Sequence, residues 1–127
     1  MPSAHHIADV VGRYISLVAS GSADDIAELY AEDATVEDPV GGEVHIGRQA
    51  IRGFYSALTN TADTERECEL VSLRVAGNEA AFAFRLTVTA GEHRMLIEPI
   101  DVMAFDDDGK VAAMKAYWSA TDVTRLG

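Results

Sequence analysis

The apolar positions follow two different periods along the chain. In the first third they recur at helical spacing. Ile7, Val10, Val11, Tyr14, Ile15, Leu17 and Val18 fall on one stripe, and Gly21 follows as a stop. Ser22 is placed to cap a second, short helix with Asp25 at its third position; Ile26, Leu29 and Tyr30 would form its apolar side. Residues 35–38 read as a short strand. Pro39 cannot donate to a ladder and Gly41-Gly42 is a turn signal, so that strand ends there. A third helix fits residues 49–58, with Ile51, Phe54, Tyr55 and Leu58 on one side.

From residue 69 onward the period shortens to that of strands. Residues 69–75, 80–89, 95–105 and 111–119 read as strands, separated by turns at Gly77-Asn78, Ala90-Gly91-Glu92 and Asp106-Asp107-Asp108-Gly109. Helices followed by an antiparallel meander make an α+β fold. A curved sheet with helices on one face encloses a pocket, and alternation tells which side chains face it. Phe82, Phe84, Leu86 and Val88 share a face, as do Ile97, Pro99, Asp101, Met103 and Phe105, and as do Met114, Ala116 and Trp118. Asp101 is the anomaly, a carboxylate in the middle of an apolar row.

Composition narrows the function classes. The 127 residues, 48% hydrophobic and 24% charged, fit one domain spanning residues 1–127. With 21 acidic against 10 basic residues the formal net charge is −11. That balance repels phosphate backbones and anionic membrane surfaces, but not a neutral apolar ligand. Cys68 is the only cysteine, which excludes an intrachain disulfide and a thiolate zinc cage. His5-His6, His45 and His93 show no metal-ligand spacing. No signal peptide and no membrane-length apolar run is seen, so a cytoplasmic protein is expected.

Asp101 in an apolar row must pair with a cation or take up a proton, unless it lies at a sheet edge and meets water. No Lys or Arg shares its face of the strand. Asp38 precedes Pro39 as turn residues often do, yet Pro39 and Val40 would also desolvate it, which suits a general base. Tyr14, Tyr30 and Tyr55 lie on apolar helix faces. Each alone reads as a core aromatic; together over one pocket they could form a hydrogen-bonded chain. The eight acids between Asp24 and Glu43 read as a solvated surface.

Arg13-Tyr14-Ile15, the run from Asp33 to Gly41 containing Ala-Thr-Val-Glu-Asp-Pro, Ile51-Arg52-Gly53-Phe54-Tyr55, the run from Asn78 to Phe84, Pro99-Ile100-Asp101-Val102-Met103 and the run from Met114 to Ser119 occur in order across residues 7–119. In this pattern the chain resembles the steroid Δ5-3-ketosteroid isomerase family. That family belongs to the cone-shaped nuclear transport factor two-like superfamily, which also holds polyketide cyclases, scytalone dehydratase and limonene epoxide hydrolase. The resemblance implies a cone-shaped curved antiparallel sheet with N-terminal helices enclosing an apolar pocket. It implies Asp38 as base, Tyr14 and a protonated Asp101 as oxyanion-hole donors, and Tyr30 and Tyr55 as a supporting network. A steroid-like substrate would be held by Val40, Phe54, Phe82, Phe84, Met103, Met114 and Trp118. It further implies no cofactor, no metal and a homodimer formed by the outer face of the sheet. The chain departs from the family at residues 59–67 and 90–94, which bears on which steroid fits.

Two other function classes stay open. One is a cyclase, dehydratase or epoxide hydrolase on the same scaffold. A dehydratase is expected to bring a histidine into the pocket, and the histidines here fall at the N-terminus, in a turn region and at a strand start. A hydrolase needs a water-positioning group, and none can be assigned from the residues. The other is a non-catalytic binder of small apolar ligands, which would not need Tyr14, Asp38 and Asp101 together.

Overall fold

The N-terminal stripe forms helix α1 (Ala4–Ser20), whose inner face is Ile7, Val11, Tyr14, Ile15 and Val18. The structure, a computed structural model, describes residues 1–59 and 63–127. Gly21 ends α1 as expected, its amide donating to the Leu17 carbonyl. Ser22 caps the short helix α2 (Ala23–Ala27) by accepting from the Asp25 amide at 3.1 Å. The expected third helix is α3 (Arg48–Thr59).

Eight strands form one sheet: β1 (Tyr30–Glu37), β2 (Val44–Ile46), β3 (Thr64–Ala76), β4 (Glu79–Ala90), β5 (His93–Ile97), β6 (Ile100–Phe105), β7 (Val111–Tyr117) and β8 (Val123–Arg125). Their order is β2-β1-β7-β6-β4-β5-β8, with β3 on the other edge of β4. The fold is α+β with a curved sheet. The sheet is mixed, not purely antiparallel, because β1 runs parallel to β7. Tyr30, expected on a helix, opens β1, since α2 stops at Ala27. Strands β2 and β8 are three residues each, too short to show a period.

The single strand expected over 95–105 is two. It breaks at Glu98-Pro99, where Pro99 has no amide to donate. Both pieces still pair with β4, β5 through Leu86↔Ile97 and β6 through Phe82↔Asp101. The break bends the sheet, and a register shift between Leu70 and Ser72 in β3 bends the neighbouring strand pair. Helices α1 and α3 cover the concave face.

The core fills the closed end of this curve. Phe82, Met103 and Met114 are 0–1% exposed and pack with Ile7, Val11, Val36 and Val111. Met103 sits opposite Ala80 on β4 and Met114 on β7. Since no cavity can relax there without moving the helix, Met103→Ala is expected to cost about 2–5 kcal/mol. Urea unfolding reads this directly; a loss below about 0.5 kcal/mol would place Met103 in a loosely packed, ligand-facing position.

Candidate active site

Asp101 follows from the register of β6. Alternation puts it on the concave face beside Phe82 on β4 and Ala116 on β7, both 1% exposed. The side chain is itself 1% exposed, and neither carboxyl oxygen has a hydrogen-bond partner among the described residues. Burial pushes its pKa well above the ordinary carboxylate value, and the charge of Asp38 pushes it further the same way. The sheet-edge reading of Asp101 is therefore excluded by position.

Tyr14 comes from α1, one turn from Val18, and faces the same space. Its hydroxyl lies 3.0 Å from that of Tyr55 on α3, which lies 2.7 Å from that of Tyr30 on β1. The three phenols thus form one buried chain, although Tyr30 reaches it from a strand. Burial raises the pKa of all three, so all remain neutral donors. A hydroxyl both donates and accepts. If Tyr30 donates to Tyr55 and Tyr55 to Tyr14, the Tyr14 proton is left for a ligand. Phe82 packs edge-on against the Tyr14 ring at 6.0 Å and fixes its plane.

Asp38 stands just past the end of β1, and its peptide bond to Pro39 is cis. The Trp118 indole donates to its Oδ1 at 2.6 Å. Burial raises the Asp38 pKa; the indole hydrogen bond and the neighbouring His45 pull it back down. Two carboxyls thus share one site under different constraints. Asp101 is dry and unpartnered, whereas Asp38 is half-buried and held by a donor.

These groups line a cavity of about 630 Å³ walled mainly by apolar side chains. That volume fits a drug-sized ligand. Of the residues expected at the site, Tyr14, Asp38, Phe54, Tyr55, Phe84, Asp101 and Trp118 line it. Tyr30 stands behind Tyr55, fully buried. Phe82, Met103 and Met114 do not line it. They share the concave face, but Met103 and Met114 lie farther along their strands, at the closed end that α1 seals, and Phe82, opposite Asp101, packs against the Tyr14 ring. Val40 does not line it either; beyond the cis peptide the turn carries it outward to 41% exposure. The resemblance implies these four as ligand contacts; in this chain they pack in the core or, for Val40, point outward.

Leu86 and Ile97 line the cavity, as their alternation with Phe84 and Asp101 predicts, and Leu58 joins them from the apolar side of α3; the residue that the sequence pattern misses is His45. His45 sits on β2 opposite Val36, with its ring 4.7 Å from that of Phe54. Only the pairing of the three-residue strand β2 brings it inward, and no periodicity signals so short a strand. The expectation that no histidine enters the pocket is thereby overturned. Cys68 is half-buried on β3, its thiol pushed up to about 12 by burial, so it is no nucleophile at neutral pH. Among the described residues no cluster of His, Cys, Asp and Glu could hold a metal ion. Of residues 59–67, 60–62 lie outside the described residues.

Residues 11–114 match the SnoaL-like domain. The chain is 48% identical to the Steroid Delta-isomerase of Nocardioides simplex over 113 residues, covering 89% of each. It is 30% identical to Epoxide hydrolase LasB of Streptomyces lasalocidi over 86% of this chain and 46% of that protein. The solved structure of SalBIII, an epoxide hydrolase/cyclase-like enzyme of pyran ring formation in the polyether salinomycin, superposes with a TM-score of 0.89. That match has 29% identity and covers 99% of this chain and 100% of SalBIII. The chain therefore belongs to the SnoaL-like domain family of the nuclear transport factor two-like superfamily, and it is an isomerase.

Proposed function

We propose that this enzyme converts a Δ5-3-ketosteroid to its conjugated Δ4 isomer by moving one proton within the substrate. The observation that carries the reading is Asp101: a buried, unpartnered carboxyl facing the same cavity as the Asp38 carboxylate. Leaving a buried polar group without a partner costs roughly 1–3 kcal/mol. A ligand oxygen that accepts its proton would recover that cost on binding. The 48% identity to a protein named Steroid Delta-isomerase supports the substrate class.

A ketone beside a β,γ double bond has a C4 proton that becomes acidic once the enolate oxygen is stabilised. Tyr14 and neutral Asp101 donate to that oxygen, which gains charge in the transition state. Asp38 takes the C4 proton and returns it to C6, so the base is regenerated and the double bond has moved. The apolar walls at Phe54, Phe84, Leu86 and Trp118 hold the flat hydrocarbon and exclude water. One base and two donors close the cycle without a cofactor.

A second reading rests on His45 and on the resemblance to LasB and SalBIII. A cyclase, dehydratase or epoxide hydrolase on this scaffold could use a cavity histidine beside an aspartate. The growth of ultraviolet absorbance as 5-androstene-3,17-dione becomes the conjugated enone separates the two. No rate above buffer refutes the isomerase reading.

Asp38→Asn keeps the shape and removes the base, and is expected to lower kcat roughly 10²–10⁴-fold without loss of thermal stability. Simultaneous loss of fold would return Asp38 to a turn role.

Asp101 is expected to be protonated at pH 7. An infrared difference spectrum of wild type minus Asp101→Asn should contain the band of the neutral acid; a carboxylate band in its place contradicts the donor role. Asp101→Leu should lose roughly 10²–10³-fold in kcat and Asp101→Asn, which still donates, much less. The stability consequence has a definite sign. The folded state retains the Asp101 proton at pH values where the unfolded chain has released it. Its contribution is full below the unfolded pKa and is lost as pH rises through the raised folded one. Asp101→Asn should flatten that decline in denaturation measured across pH.

The exposed Val71, Ile100 and Tyr117 on the sheet support a homodimer through its outer face. Light scattering at micromolar concentration should give twice the mass of one chain; a monomer there removes this reading.

A further inference from the structure

Arg48 is the first residue of α3, and no step of the proposed mechanism uses it. It is half-buried and shares a surface pocket with Asp24, Glu28 and Glu32. Asp24 is taken by Arg52, and Glu28 and Glu32 are exposed. The Arg48 guanidinium turns to the backbone instead. Its Nε and Nη2 both donate to the Tyr30 carbonyl, at 3.0 and 2.5 Å.

That carbonyl needs such a partner because the ladder leaves it. Between Tyr30 and Thr35 strand β1 advances five residues while its parallel neighbour β7 advances two, from Val111 to Ala113. The extra residues make a bulge, and the Val111 amide donates to the Leu29 carbonyl. Tyr30 is fully buried, where a carbonyl without a donor is costly. Both ends of the bulge are tied to the start of α3. The Gly47 amide donates to the Ala34 carbonyl at 2.8 Å, and Arg48 holds Tyr30. Two helical turns on from Arg48, α3 carries Tyr55 on the same side. The residue that Arg48 grips by its backbone is the one whose hydroxyl lies 2.7 Å from that of Tyr55. One strand residue thus joins one helix twice, by its carbonyl and by its phenol. The spacing of α3 from β1 is fixed at the guanidinium and felt at the phenols.

We propose that Arg48 is a positioning residue for the phenol chain: its clamp on the Tyr30 carbonyl keeps the Tyr30 hydroxyl donating to Tyr55, which leaves the Tyr14 proton for the substrate oxygen. The effect on turnover rests on the isomerase reading. A hydroxyl has one proton to give. With the Tyr55 oxygen occupied by the Tyr30 proton, the Tyr55 proton goes to the Tyr14 oxygen, and Tyr14 donates to the substrate. If Tyr30 draws back, the Tyr55 oxygen becomes an acceptor for Tyr14, and the Tyr14 proton is turned away from the enolate.

The test measures kcat and KM for enone formation in wild type, Arg48→Met, Arg48→Lys, Tyr30→Phe and the double variant of Arg48→Met with Tyr30→Phe. Arg48→Met is expected to lower kcat roughly threefold to tenfold, the worth of one redirected hydrogen bond, with KM changed less than roughly twofold. Arg48→Lys still offers a donor to the carbonyl and should recover part of the loss; it serves for the same comparisons should Arg48→Met not fold. In the Tyr30→Phe background Arg48→Met should lower kcat no further, because the hydroxyl it acts through is gone. Arg52→Met, one turn along the same helix and exposed, should leave kcat unchanged and so controls for a general loosening of α3. No loss, or an equal fold-loss with and without the Tyr30 hydroxyl, overturns the proposal. A second measurement needs no turnover. The hydroxyl proton resonance that disappears in Tyr30→Phe is compared between wild type and Arg48→Met. It is expected to move upfield as the bond from Tyr30 to Tyr55 lengthens; an unmoved resonance overturns the proposal. A moved resonance in a protein that forms no enone supports the clamp and refutes the isomerase reading instead.

Discussion

A carboxyl group with no partner among the described residues, buried on the concave face of a sheet, is the constraint around which this molecule is built. Asp101 can stay dry only if it stays neutral, because an isolated charge in an apolar interior is prohibitively expensive. Its neutrality therefore depends on everything that keeps water and cations out. Phe82 and Ala116 flank it in register, α1 closes the end beyond it, and the bend at Glu98-Pro99 curves the sheet around it. The core residues Met103, Met114 and Val111 contribute to chemistry only by making that wall rigid.

The proposed mechanism asks one cavity to hold its two carboxyls in opposite protonation states. Burial raises both aspartates, so desolvation alone would make two weak acids. For Asp38 the Trp118 indole hydrogen bond offsets part of that rise. Asp101 has no such partner, and the Asp38 charge raises it further. That difference in environment is what the proposed mechanism uses to make one the donor and the other the base. The phenol chain adds a donor that is neutral at any physiological pH.

The scaffold itself does not choose the reaction. SalBIII superposes over nearly the whole chain, yet it is described as an epoxide hydrolase/cyclase-like enzyme. The difference must lie in which side chains reach the cavity and how deep they stand, since fold and function separate in this way. In this chain the depth is set by strand register: at Asp101 the concave face changes from solid core to open cavity.

The sequence by itself determined the helices, the four long strands as apolar faces, and the odd placement of Asp101, because each of these leaves a local period or violates one. The Ala-Thr-Val-Glu-Asp-Pro segment and the later Pro-Ile-Asp carried the family resemblance without any contact being known. Tertiary structure alone decided the rest. It split the strand at Pro99, made the sheet mixed through the β1–β7 pairing, and took Tyr30 from helix to strand. It put Phe82, Met103 and Met114, which the resemblance implies as ligand contacts, into the core, where they pack with Ile7, Val11 and Val111. It brought His45 into the cavity that Asp38 also lines through a strand of three residues. So short a strand exists only because β1 and α3 hold it, and its residues therefore have no pattern of their own to read.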